Sequence, residues 1–128
     1  MKNHLELDWD KISINEAYDR IELLKNYDII ESIELRQSAT NGYHVYVKLY
    51  RNMEKDEIFR LRRSWKDDGK RLMMDCFWRL NNNKNNSNVM FQSKRINGLL
   101  WYELPLILYT RTRHEGIWKE QKLRKKRQ

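Results

Sequence analysis

A chain of 128 residues is long enough for one domain with a single core and too short for two. Hydrophobic residues make up 40% and aromatic residues 12%, which fits a folded globular protein at a mean hydropathy of -0.96, and no apolar run reaches membrane-spanning length. The net charge of +8 points towards polyanionic partners, nucleic acid first among them.

The chain opens on "LELDWD", Leu5 to Asp10, which alternates as a strand does: Leu5, Leu7 and Trp9 on one face, Glu6, Asp8 and Asp10 on the other. Ser13 and Glu16 form a capping box, and Ile14, Ala17, Ile21 and Leu24 recur at helical spacing, so a helix is predicted over 14–26. Residues 32–37 alternate again, with Ile33 and Leu35 set against Glu34 and Arg36. "SATNG" is turn chemistry, its Asn41-Gly42 pair marking a hairpin into the clearest strand of the chain, Tyr43–Leu49. There Tyr43, Val45, Val47 and Leu49 face a core, and His44, Tyr46, Lys48 and Tyr50 face the other way. A second helix is predicted over 54–66, with Ile58, Leu61 and Trp65 inward and Arg60, Arg62 and Arg63 outward, broken at Gly69. "RLMMDC", residues 71–76, reads as a buried strand carrying Met73 and Asp75 on one face.

The resulting order, βαββαβ, predicts an α+β fold of the ferredoxin-like or RRM-like kind: a four-stranded antiparallel sheet with both helices on one face and the other face open. Residues 81–88 form a polar low-complexity loop, and Asn97-Gly98 centres a further hairpin that Pro105 closes. Segment 106–110 is apolar and ambiguous. A single domain over 1–110 with a basic tail over 111–128, partly disordered or helical and docked by Ile117 and Trp118, completes the expected organisation.

Charge and cysteine usage narrow the chemistry. Residues 1–35 hold four Lys/Arg against nine Asp/Glu, whereas residues 111–128 hold eight Lys/Arg against two Glu. An acidic start joined to a basic body and tail fits a polyanionic partner, with the acidic patch serving another purpose. Cys76 is the one cysteine and His4, His44 and His114 are scattered, which argues against disulfides and zinc sites. With no secretory leader pattern, a cytoplasmic location is expected (host cytoplasm for a viral protein).

The alternation places Asp8, Asp10, His44 and Asp75 on the open face, together with Arg36, Tyr46 and Lys48. Three carboxylates on adjacent strands are a donor set for a hard divalent cation, Mg²⁺ or Mn²⁺. Arg36, Ser38, His44 and Lys48 are candidates to hold phosphates beside it. Tyr46 and Tyr50 offer rings on which bases stack, and Arg71, Lys94, Lys122, Arg124, Lys125, Lys126 and Arg127 offer backbone contacts to DNA or RNA.

Three short motifs carry a resemblance: Asp8-Trp9-Asp10 after an apolar strand, Gly42-Tyr43-His44 after "RQSATN", and Met74-Asp75. Their order and separation resemble the catalytic core of the archaeo-eukaryotic primase superfamily, which includes the primase-polymerases, over about residues 4–78. The resemblance implies that Asp8, Asp10 and Asp75 hold the catalytic divalent metals and that His44 contacts the triphosphate of an incoming nucleotide. Working members add a second module, often zinc-binding, for which this chain has too few residues and cysteines.

Three function classes therefore stand side by side. One is metal-dependent nucleotidyl transfer of the DNA-primase type, on a single strand or primer-template, in replication of a plasmid, virus or other mobile element. Another is a non-catalytic RRM-like module that binds single strands. The third is a protein-interaction or inhibitor protein. A rolling-circle endonuclease would need a His-x-His pair, which the chain lacks.

Overall fold

The computed structural model describes residues 2–39, 42–80, 93–96 and 99–123. In chain order the elements are β1 (Lys2–Asp10), α1 (Ile14–Leu24), β2 (Ile30–Gln37), β3 (Gly42–Met53), α2 (Lys55–Ser64), α3 (Gly69–Leu80), β4 (Ser93–Ile96), β5 (Leu99–Tyr102), β6 (Leu104–Arg111) and β7 (Trp118–Lys122). Five strands form one antiparallel sheet in the order β1-β3-β2-β6-β7, and β4 and β5 pair as a separate ladder.

The first half follows the sequence pattern. Leu5, Leu7 and Trp9 of β1, Ile33 and Leu35 of β2 and Val45, Val47 and Leu49 of β3 are all buried on one side of the sheet. There they meet Ala17, Ile21 and Leu24 of α1. Ser13 caps that helix, its Oγ accepting from the Glu16 N–H at 3.1 Å. β1 and β2 run parallel with β3 inserted antiparallel between them, which is the split βαβ arrangement.

The second half departs from expectation. Residues 71–76 are helical, within α3, and not a strand. A short apolar run has no decisive period, and here buried charge decides: Arg71 and Asp75, one helical turn apart, share the inward face while Met73 and Met74 are exposed. β1 consequently lies at the sheet edge, because no described strand pairs on its outer side. The apolar segment 106–110 belongs to β6, which pairs with β2 and makes β2 internal. The ferredoxin-like strand order is thus not the order observed.

Arg62, expected outside, is 1% exposed. Four residues after the buried Ile58, it falls on the same helical face. α2 ends without glycine: Lys66 takes the left-handed conformation at φ 63°, Lys66 N–H donates to Arg63 O and Asp67 N–H donates to Arg62 O. That bond pair is a Schellman turn, and it swings Asp67 back against β1. In the C-terminal segment Trp118 docks, its Nε1 donating to Lys25 O at 3.1 Å with the Arg111 guanidinium over its ring, whereas Ile117 stays 62% exposed. The loop over 81–88, the Asn97-Gly98 turn and Arg124, Lys125, Lys126 and Arg127 lie outside the described residues.

Gly42 is held by a close approach. A Cβ there would sit 2.7 Å from the Trp9 carbonyl oxygen and 3.0 Å from Asp10 Cα, both backbone atoms with no freedom to retreat. Gly42→Ala is expected to cost about 1–3 kcal/mol through this overpacking, read as a lowered midpoint in urea denaturation. An unchanged midpoint would mean that β1 and β3 separate at this end without penalty.

Candidate functional site

On the sheet face opposite α1, the β-ladder sets side chains in rows. Asp8 of β1 lies directly across from His44 of β3, and His44 lies across from Arg36 of β2. The next row is Glu6, Tyr46 and Glu34. His44 Nε2 stands 3.8 Å from Asp8 Oδ1. Arg36 donates to Glu34 Oε2 at 2.9 Å and lays its guanidinium 4.3 Å from the Tyr46 ring centre.

A further carboxylate closes over this face. Glu103, between β5 and β6, has a side chain only 3% exposed. The Tyr46 hydroxyl donates to its two oxygens at 2.5 and 2.6 Å, His44 Nδ1 lies 3.4 Å from Oε2, and Arg36 Nη1 lies 3.7 Å from the same oxygen. Burial works against the charge of Glu103, but the neighbouring His44 and Tyr46 donors and the Arg36 guanidinium outweigh it and hold its carboxyl below the ordinary 4.5. Burial and the bond to Glu103 push the Tyr46 hydroxyl well above its ordinary value.

Asp8 has the opposite balance. Burial raises its carboxyl above the ordinary 3.8; the His44 and Arg71 charges pull it back, and the Asp68 and Asp10 charges push it further up. Asp8, Asp10, Asp68, His44 and Arg71 are therefore one electrostatic group at the end of β1. Asp10 sits opposite Gly42, where the missing side chain leaves its Oδ1 3.3 Å from the position a Cβ would take.

The structure brings Asp8, Asp10, His44 and Arg36 together and separates them from several other candidates. Ser38 lies just beyond β2, its backbone N–H donating to Gly42 O at 3.1 Å, so it belongs to the same end of the sheet. Lys48 is four residues along β3 from His44, about 13 Å on an extended strand, and pairs with Glu31 at 3.4 Å. Tyr46 has its hydroxyl on Glu103 and a ring face under Arg36, and Tyr50 bonds the Arg111 carbonyl with Arg113 over its ring. Neither tyrosine is the bare stacking platform expected from alternation. Lys122 ends β7, on the edge of the sheet remote from β1. Lys94 lies in β4, and its side chain is outside the described residues.

Asp75 is the principal correction. On α3 rather than on a strand, it is 5% exposed and its Oδ2 accepts from Arg62 Nη1 at 3.2 Å. Arg71, expected at a nucleic-acid surface, donates to Asp67 Oδ1 at 2.6 Å and to the Glu6 carbonyl at 3.1 Å. Between them stands Asp67, its side chain fully buried: Oδ2 accepts from Arg62 Nε at 2.7 Å, and Oδ1 accepts from the Asp8 and Asp68 backbone N–H groups. This network supports the site from behind by pinning the edge of β1 at Asp8. The spacing Asp67, Arg71, Asp75 at i, i+4 and i+8 was its available sequence signal; Glu103 had none.

Among the described residues no group of three His, Cys, Asp or Glu side chains is placed to hold a metal ion. Asp8 and Asp10 remain as two adjacent carboxylates. That number suits Mg²⁺, which keeps its waters and takes one or two carboxylates with substrate phosphates, better than an all-protein cage. Among the described residues no helix is long and apolar enough to cross a membrane. Comparison with protein-family models, with curated proteins and with solved structures gives no match to this chain.

Proposed function

We propose that this chain is a nucleotide-binding domain of primase-polymerase type, which takes a nucleoside triphosphate with its divalent cation at the Asp8, Asp10 and His44 end of the sheet. The observation that carries the reading is the register of β1 on β3: Asp8 faces His44 and Asp10 faces Gly42, so the Asp-x-Asp and Gly-x-His motifs are side by side on one face. Two aspartates supply oxygen ligands to Mg²⁺ or Mn²⁺, and His44, with Arg36 behind it, supplies donors to the phosphates. A bound divalent ion would neutralise phosphate charge in nucleotidyl transfer; the chain's own residues orient the triphosphate against the strand ends. The nucleic-acid partner, single-stranded or primer-template, is supported by the net charge of +8 and the basic C-terminal segment.

The rival reading, a strand-binding RRM-like module without chemistry, needs exposed aromatic rings on the open face. Tyr46 and Tyr50 are both engaged internally, which favours the nucleotide site.

Calorimetric titration of a nucleoside triphosphate into the protein with Mn²⁺ tests the proposal. Binding is expected in the wild type, and His44→Ala is expected to weaken it about tenfold, the equivalent of one charge-assisted hydrogen bond, with Mn²⁺ binding alone less affected. Absence of heat in the wild type would overturn the reading.

A further inference from the structure

We infer that Glu103 is the positioning residue for His44, holding the proton on Nδ1 so that Nε2 is the atom presented beside Asp8. The inference rests on the nucleotide-site reading for its functional consequence, but not for its structural content. His44 Nδ1 is buried and makes no aligned hydrogen bond, while Glu103 Oε2 lies 3.4 Å away. An orphaned buried ring nitrogen is costly, and a small rotation of the imidazole closes this gap. Glu103 itself has little freedom to move: its side chain is almost fully buried, the Tyr46 hydroxyl bridges both its oxygens and Arg36 flanks Oε2.

The chemistry follows from the identity of the acceptor. An ionised carboxylate accepts and does not donate, so the atom facing it must carry hydrogen. Which nitrogen of a histidine is protonated is set by the bond that the other one makes. With Nδ1–H committed to Glu103, Nε2 on the outer side of the ring is left to meet a ligand. A phosphate accepts from Nε2 only when both ring nitrogens carry hydrogen, and in that form Glu103 is the acceptor that faces Nδ1–H. Glu103 thus does for His44 what a carboxylate behind a metal-bound histidine does for that ligand, from a position 59 residues away in sequence.

The test reads the tautomer directly, by two-dimensional ¹⁵N–¹H NMR of the His44 ring in the free protein at alkaline pH. The wild type is expected to carry its proton on Nδ1. In Glu103→Ala the acceptor is gone, and the proton is expected to move to Nε2. Glu103→Gln keeps a carbonyl oxygen near Arg36 and is expected to retain the Nδ1 tautomer. In Mn²⁺-nucleotide titrations, Glu103→Ala is expected to lose about 10-fold or more in affinity and Glu103→Gln clearly less. A wild-type proton on Nε2 would overturn the inference, even if the alanine variant failed to fold; so would an unchanged tautomer in a folded alanine variant. If the wild type shows the Nδ1 tautomer yet binds no nucleotide, the nucleotide site falls and the Glu103–His44 relation stands.

Discussion

Asp67→Ala is expected to lower folding stability by about 3–5 kcal/mol, the cost of stripping one partner from a buried ion pair. Arg62 is 1% exposed and depends on Asp67 for its shortest contact, 2.7 Å. Removing that carboxylate strips the guanidinium of this contact and leaves the ion pair with Asp75, whose Oδ2 is 3.2 Å away. It also frees the Asp8 N–H, the Asp68 N–H and the Arg71 guanidinium from a common acceptor. Urea denaturation reads the loss. Arg71→Ala, in which Asp67 keeps Arg62, is expected to cost less, about 1–2 kcal/mol. A loss below about 1 kcal/mol in Asp67→Ala would show that water replaces this network at little cost. Because Asp67 pins the edge of β1 at Asp8, fraying there should also weaken nucleotide binding in any Asp67 variant that still folds.

Asp8→Asn is expected to move stability and binding in opposite directions. Burial, with Asp68 and Asp10 nearby, raises the Asp8 carboxyl, so the folded state holds that proton more tightly than the unfolded chain. The carboxylate therefore costs stability as pH rises above the ordinary 3.8, and costs nothing below it. Asparagine cannot ionise, so the variant should be more stable than the wild type at neutral pH and lose its advantage as pH falls through the carboxylate range. Glu103 has the opposite sign: held below its ordinary value, it contributes stability at neutral pH that is lost on acidification. Binding of Mn²⁺ with nucleotide should fall about 100-fold in Asp8→Asn/Asp10→Asn, since losing a charge partner costs some 2–5 kcal/mol. A double variant that is less stable at pH 7, or that binds nucleotide normally, would leave the acidic row as a solvated strand face.

Burial makes ionisation of Asp8 oppose folding, and the His44 and Arg71 charges offset part of that cost. On a half-buried strand the position of Asp8 would take threonine or asparagine at less cost.

Period-two alternation in Leu5–Asp10 and Tyr43–Leu49 was enough to place Asp8, Asp10 and His44 on one face, since a strand with one buried side has a single workable register. Ser13 and Glu16 likewise announced the start of α1 through contacts made within one turn. These features are local, and local chemistry is legible along the chain. The rest was decided at a distance. Residues 71–76 read as a buried strand along the chain, yet they are helical, because Arg62 and Asp67 supply partners for Arg71 and Asp75 one turn apart. β6 found its place beside β2 through pairing across about seventy residues, which made β2 internal. Glu103 looks like any acid before a proline-containing strand, and only the docking of β6 sets it over His44 and Tyr46. The i, i+4, i+8 spacing of Asp67, Arg71 and Asp75 puts them on one face but does not say that the face is buried; charged side chains turn inward only where the tertiary fold brings their counterions to them.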